Sequence, residues 1–377
     1  MTDVPPFCPH RDCPSHQNPS KIPGIWFQRK GFRLTKVCGP VPRFQCRLCR
    51  RGFSSRTFDI DYWTHRSVDY QIVLDLLAGG SGLRQSCRTL GVSTRLLANR
   101  HVRLCRQSLA LHSQTLSELP FREPMVFDGF ESFAFSQYFP NNLHLLVTKE
   151  SQFILGVDAA VLRRKGRMTK DQKARRKALE LTYRAPPGAI RSSCKKLLSF
   201  ACHRAFGAKQ LPIQFLSDEK KDYRLVLDAI SPYQGWREAG FLMHSTVSSR
   251  SARSLSNPLF AVNYLDRQLR KDLSEHVRET VRFARRIEHS LERLMIYAAH
   301  HNYFKVFRTR SEDQELSHAQ VAGLERTRVE ELKRRFFRER ALGWREDLEA
   351  WQTGLWKREV SVPVHRVTPL ARHLMTT

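Results

Sequence analysis

The chain has 377 residues, with 64 Lys and Arg against 36 Asp and Glu, a net charge of +28 and a pI near 10.3. Its 41% hydrophobic and 27% charged residues can build a real core, which excludes wholesale disorder, and the length suggests two or three domains. So large an excess of cations makes a polyanion the natural partner, DNA or RNA before a membrane surface. No run approaches the roughly 18 apolar residues of a membrane span, and the start, MTDVPPFCPHRDCPSH, lacks a signal-peptide pattern. The expected compartment is the cytoplasm.

Residues 1–60 are rich in Pro, Cys and Arg, reading as turns around short strands at Gly24–Phe27 and Arg43–Cys46. Nine cysteines are an odd count, and four of them form two close pairs, Cys8-x4-Cys13 and Cys46-x2-Cys49. In a reducing compartment that pattern favours metal ligation over disulfides. The 32 residues between the pairs are enough for a hairpin that closes four thiolates around tetrahedral Zn²⁺, a zinc ribbon. Cys38, His10 and His16 lie near enough to compete as ligands. Phe44 and Phe53 flank the second pair and Arg43, Arg47, Arg50 and Arg51 surround it, a surface suited to phosphates.

Residues 61–119 turn helical. Ile72, Val73, Leu76 and Leu77 predict one apolar face, Gly79-Gly80-Ser81-Gly82 breaks it, and two shorter helices follow to about Leu109. The first ends at Gly91 and Ser93 can cap the second, which makes a helix-turn-helix. The second helix of such a motif enters the major groove N-terminus first, so Thr94, Arg95 and Asn99 are the expected base readers and Arg100 and Arg103 the expected phosphate contacts.

Residues 120–305 predict strands at Met125–Phe127, Leu143–Thr148, Phe153–Val157, Leu211–Ser217 and Phe241–Thr246, the later ones separated by helices. That order describes a mixed sheet flanked by helices. A basic block at 163–196, 13 Lys or Arg among 34 residues, interrupts it as a solvated loop or a phosphate-binding segment. From 306 to 377 comes an amphipathic run between Ser311 and Lys357, with capping boxes at Ser311/Gln314 or Ser317/Gln320. It reads as a helical layer closing the core, or as an arm for dimerisation or DNA ends. The whole is a multidomain α+β chain.

Asp128 follows the first core strand, Asp218 closes the fourth, and Glu288 sits on a helix whose buried stripe is Ile287, Leu291, Leu294 and Ala298. Phosphoryl transfer needs hard oxygen ligands for two Mg²⁺ ions, and carboxylates converging from two strand ends and a helix supply them.

Asp266-Arg-Gln268 and then Arg278-Glu-Thr280-Val-Arg-Phe283-Ala-Arg-Arg-Ile-Glu288 resemble the segment leading to the catalytic glutamate in transposases of the smallest classical bacterial insertion elements. The resemblance to DDE transposases covers most of the chain: zinc ribbon, helix-turn-helix and a catalytic domain of ribonuclease H-like fold. It implies that Asp128, Asp218 and Glu288 hold Mg²⁺ or Mn²⁺, with Glu279 and Glu292 as alternatives for the third place. It further implies duplex DNA as partner (the element's terminal repeats and the target), a homo-oligomer assembled on DNA, and a place at the bacterial nucleoid. Where many such enzymes carry a basic residue seven positions after the glutamate, this chain has Met295; Arg293, His300 and His301 are the nearest substitutes. Two other readings share parts of this pattern: a ribonuclease H-like nuclease or resolvase, and a non-catalytic, zinc-containing DNA-binding regulator.

Overall fold

The structure, a computed structural model, describes residues 4–17, 19, 26–230, 233–277, 280, 282–308 and 315–359. The N-terminal unit has a one-turn helix α1 (Pro14–Gln17) and an antiparallel sheet of β1 (Phe27–Thr35), β2 (Gly39–Cys46) and β3 (Gly52–Ser54). The strand expected from Gly24 starts at Phe27 among the described residues and runs much further, and β3 was not foreseen. Trp26, Phe27 and Phe44 fill a small core of their own beside the cysteines.

Three helices follow: α2 (Tyr70–Ala78), α3 (Leu83–Leu90) and α4 (Thr94–Glu118). Asp69 caps α2 by accepting from the Gln71 and Ile72 amides. Gly91 takes the left-handed conformation that ends α3, at φ +60, and Ser93 accepts from the Leu96 amide to start α4. The expected apolar face of α2 is rotated by one position: Val73, Leu74, Leu77 and Ala78 are buried, whereas Ile72 is exposed. A one-residue step is 100° on a helix, and a run as apolar as Ile-Val-Leu-Asp-Leu-Leu leaves the facing side to tertiary contacts.

α4 extends well past Leu109, and from Arg100 to Ser113 every side chain is buried. It packs on α9 (Ile287–Ala299), α11 (Arg326–Phe336) and α12 (Ala350–Lys357). One hydrophobic cluster therefore runs from Ile60 through the sheet to Trp356. The segments drawn at 61–119, 120–305 and 306–377 share this core.

The central sheet has β4 (Met125–Phe133), β5 (Pro140–Thr148), β6 (Ile154–Val161), β7 (Ile213–Asp218) and β8 (Leu242–Val247), in the order β6-β5-β4-β7-β8. β4, β5 and β6 form an antiparallel meander, and β7 and β8 lie parallel to β4. The parallel neighbours require helical crossovers. These are α6 (Ala189–Gly207) with α7 (Lys221–Asp228), while α8 (Phe260–Asp272) packs on β4 and β5. All five expected strands are present; the first three are lengthened, and the last two are shifted towards the C-terminus.

The basic block is not a loop. It holds α5 (Lys170–Glu180), a helix with no buried residue, and the start of α6. The expected long C-terminal helix is broken into α10 (His318–Val321), α11 and α12. The Ser317/Gln320 capping box forms, and Ser311/Gln314 lies outside the described residues. No helix among the described residues is long and apolar enough to cross a membrane.

Candidate metal centre and carboxylate site

The ligand atoms of Cys8, Cys13, Cys46 and Cys49 lie within 4.8 Å of one another, with Cys8 Sγ 3.7 Å from Cys49 Sγ and Cys13 Sγ 3.6 Å from Cys46 Sγ. Four soft donors at that spacing can bind a tetrahedral Zn²⁺. Burial pushes the Cys46 thiol up, but hydrogen bonds from the Cys49 and Leu48 amides outweigh it and bring the thiol down to about 7. At Cys8 and Cys49 burial prevails and pushes the thiols up, so Cys46 is the thiol of the cluster that its surroundings favour as thiolate. Two of the three competing ligands are engaged elsewhere, and His10 does not share the cluster of the four cysteines. His16 Nδ1 bonds the Cys8 carbonyl at 2.7 Å and its Nε2 accepts from Trp344 Nε1 at 3.0 Å, while exposed Cys38 bonds the Arg56 guanidinium.

On the α3–α4 pair, Thr94 and Arg95 are exposed and Asn99 is half-buried, so the N-terminus of α4 is open to solvent. Arg100 and Arg103 do not serve as the expected phosphate contacts. Arg100 donates to the Arg66 carbonyl at 2.6 Å, and Arg103 donates to the carbonyls of Ile60 and Tyr62 at 2.6 and 2.5 Å. Both are buried, at 4% and 7% exposure, and tie the cysteine unit's exit segment to α4. The reason is that α4 is buried on every side from Arg100 to Ser113, so a basic side chain there meets protein carbonyls rather than solvent. Arg103→Met should therefore cost about 2–4 kcal/mol of stability, because two buried carbonyls lose a charged donor, and should leave the salt dependence of DNA binding unchanged. Urea unfolding alongside a salt titration checks this; a reduced salt slope at wild-type stability would restore the phosphate role.

Asp128 and Asp218 end up abreast. β4 and β7 pair in parallel through Phe127 and Ser217, so the next residue on each strand is the carboxylate. Burial raises the Asp128 carboxyl to about 6, the charge of Asp218 adds to this, and the Gly129 amide, Lys220 and Tyr223 oppose it. The Tyr223 hydroxyl donates to Asp128 Oδ1 at 3.4 Å, and Lys220 Nζ sits 5.2 Å from the Tyr223 ring. A third carboxylate, Asp266 on α8, lies near enough to Asp128 to feel its charge. Its acidity is suppressed by burial and then by the charge of Asp128, with Arg270 and Arg253 opposing, and its Oδ1 is buried without a hydrogen-bond partner.

Glu288 belongs to a different neighbourhood. It opens α9, which lies against β6 rather than β4, two strand spacings or about 10 Å further along the sheet. Burial makes Glu288 harder to ionise, its own backbone amide, Arg286 and Arg358 oppose this, and its Oε2 is buried without a hydrogen-bond partner; it repels Glu292, which accepts two hydrogen bonds from Arg358, at 2.5 and 2.9 Å. Glu292 is thus paired and buried, and Glu279 lies outside the described residues. Among the described residues no three carboxylates have oxygens within 4.8 Å of one another; the four cysteines alone meet that distance. Arg293 is also taken, by the carbonyls of Leu77 and Ser81 and by Glu275, and His301 is fully buried against the Gln152 carbonyl. His300 is half-buried.

Lys220, Tyr223 and Asp266 were not assigned a role from sequence. Asp266 had a signal: α8 is the first helix after the last strand, and a helix closing a mixed sheet crosses its central strands. Lys220 and Tyr223 follow Asp218 within one turn, where a strand end feeds a helix. No family model matches the chain, and no curated protein matches it.

Proposed function

We propose that this chain is a DNA-processing enzyme of transposase type, which cuts a phosphodiester and joins the freed 3′ hydroxyl to target DNA through a ribonuclease H-like core. The observation that carries the reading is the placement of Asp128, inside β4, abreast of Asp218, at the end of the parallel strand β7, with Asp266 of α8 near enough to feel the charge of Asp128. Asp128 and Asp266 are each made harder to ionise by burial and by a neighbouring carboxylate, Asp266 has an unpartnered buried oxygen, and with Asp218 abreast of Asp128 the ionised groups fit a hard divalent cation such as Mg²⁺ or Mn²⁺. Such an ion supplies the positive charge that activates an attacking oxygen and steadies a leaving one. The chain's own residues hold and position: Tyr223 orients Asp128 through its hydroxyl, and Lys220 offers a cation to a phosphate entering beside it. Upstream, the exposed start of α4 reads the DNA ends, the cysteine unit holds Zn²⁺, and copies of the chain assemble on the DNA.

The test is joining of precleaved duplex ends, taken from the DNA that flanks the gene, in Mg²⁺. Joining that disappears in Asp128→Asn is expected. Cleavage without joining would make the protein a nuclease or resolvase. The wide spacing of the carboxylates favours a second reading, a DNA-binding regulator without catalysis, and specific binding with neither cleavage nor joining would establish it. For the reading helix, Arg95→Ala is expected to cost about 1–3 kcal/mol on terminal DNA and less on random DNA. Equal losses in a paired titration would make Arg95 a phosphate contact.

A further inference from the structure

At its base the β1–β2 ribbon is a small core element, with Phe27 and Phe44 only 4% and 3% exposed beside the cysteines. Cross-strand pairing carries the same face outward, from Phe27–Cys46 and Arg29–Phe44 to Phe32–Pro42 and Leu34–Pro40. Gly31 makes this continuity possible. The register slips between Arg29 and Phe32, and Gly31 sits in that bulge at φ +69, a backbone conformation that favours glycine. One extra residue reverses the parity of every side chain that follows it. Without it Phe32 and Leu34 would share the face of Val41, which is buried; with it they are 69% and 81% exposed.

Two large apolar side chains and two prolines thus form a stripe on a ribbon whose charge is one-sided. From Trp26 to Phe58 there are nine Lys or Arg and no Asp or Glu, and Lys30, Arg33 and Lys36 are exposed around the stripe. Neither the cysteine centre nor the carboxylates use it. A surface that combines bare aromatic and aliphatic groups with uniform positive charge suits a polyanion whose interior is apolar. Duplex DNA is that partner: its grooves admit a two-stranded ribbon, its phosphates take the cations, and its base steps accept apolar wedges.

We propose that the β1–β2 ribbon is a DNA wedge, with Arg33 and Lys36 on the phosphates and Phe32 and Leu34 pressed against the bases, opening a step. It rests on DNA being the partner and on no part of the carboxylate chemistry. The wedge is separate from the reading helix, so the two contacts engage different positions on one duplex.

The test uses the full zinc-loaded chain and duplexes carrying 2-aminopurine at successive positions. Wild-type protein is expected to raise the emission at one or two positions. The Phe32→Ser/Leu34→Ser variant should abolish that rise and bind about tenfold more weakly. Arg33→Gln/Lys36→Gln should lower the slope of log affinity against log salt by about two. Both pairs are exposed, so unchanged zinc content and circular dichroism serve as the folding control. Serine variants that bind and unstack DNA like wild type, while Asp128-dependent joining persists, overturn the wedge and leave the proposed function standing. A wild type that binds no duplex overturns both. If the serine variant loses only self-association, or only binding to phosphatidylserine vesicles, the stripe is a contact for a second copy or a lipid surface and the wedge is wrong.

Discussion

Removing the metal from Cys8, Cys13, Cys46 and Cys49 is expected to unfold the first sixty residues while the rest of the chain stays folded. The unit's private core amounts to Trp26, Phe27, Phe44 and the cysteines themselves, far too little apolar area to stand alone. Structural zinc supplies roughly 10–16 kcal/mol to units of this kind, so its loss outweighs any other single contribution there. The remainder has an independent core from Ile60 to Trp356. Metal analysis should find about one zinc per chain in wild type, and none after Cys46→Ser with Cys49→Ser. The double variant should lose the near-ultraviolet signal of Trp26 and admit protease between residues 1 and 60. The C-terminal segment will register the loss as well, because Arg345 and Trp344 bond His16 and Arg340 donates to the Thr57 carbonyl. A metal-free protein with native dichroism and protease resistance would show that packing, not zinc, holds the unit.

The cysteine centre was readable because its chemistry is local: each pair brackets one turn, and thiolates have few reasons to gather other than metal. The five strands were readable for a similar reason, since short apolar runs between turn residues leave few alternatives. What the sequence left open were questions of facing. Arg100 and Arg103 look like phosphate contacts in any basic helix, and only the extension of α4 into the core turns them onto the carbonyls of Arg66, Ile60 and Tyr62. Ile72 and Leu74 are equally apolar, yet contacts with α4 and α9 bury one and not the other. Glu288 and Asp266 lie 22 residues apart on consecutive helices, and a spacing motif cannot say which helix crosses β4.

That last choice has a sharp consequence. Asp128→Asn, Asp218→Asn and Asp266→Asn should each lower Mg²⁺-dependent joining by roughly a thousandfold or more, because an amide keeps the shape of the carboxylate but not its grip on the ion. Glu288→Gln should keep most of the activity, because α9 lies against β6 and the nearby charges that act on Glu288 are those of Arg286 and Arg358. The same Asp128 variant should stabilise the metal-free protein. In the folded state the Asp128 carboxyl sits near 6, above its ordinary value of 3.8, so the fold holds this proton more tightly than the unfolded chain does. Below about pH 3 both states are protonated and the group is neutral to stability. As the pH rises from 4 to 6 the unfolded chain ionises first and a penalty accumulates, reaching on the order of 2 kcal/mol at pH 7. Asp128→Asn removes that penalty, so its gain in EDTA should be full at pH 7 and gone at about pH 3, and Mg²⁺ should erase the difference by stabilising wild type alone. Thermal melts of both proteins at the two pH values, with and without Mg²⁺, read this directly. A stabilised but inactive Asp128→Asn would mark a site held under electrostatic strain for the sake of an ion. A destabilised one would mean that Asp128 is a structural acceptor for Tyr223, and active Asp266→Asn with dead Glu288→Gln would move the third carboxylate from α8 to α9.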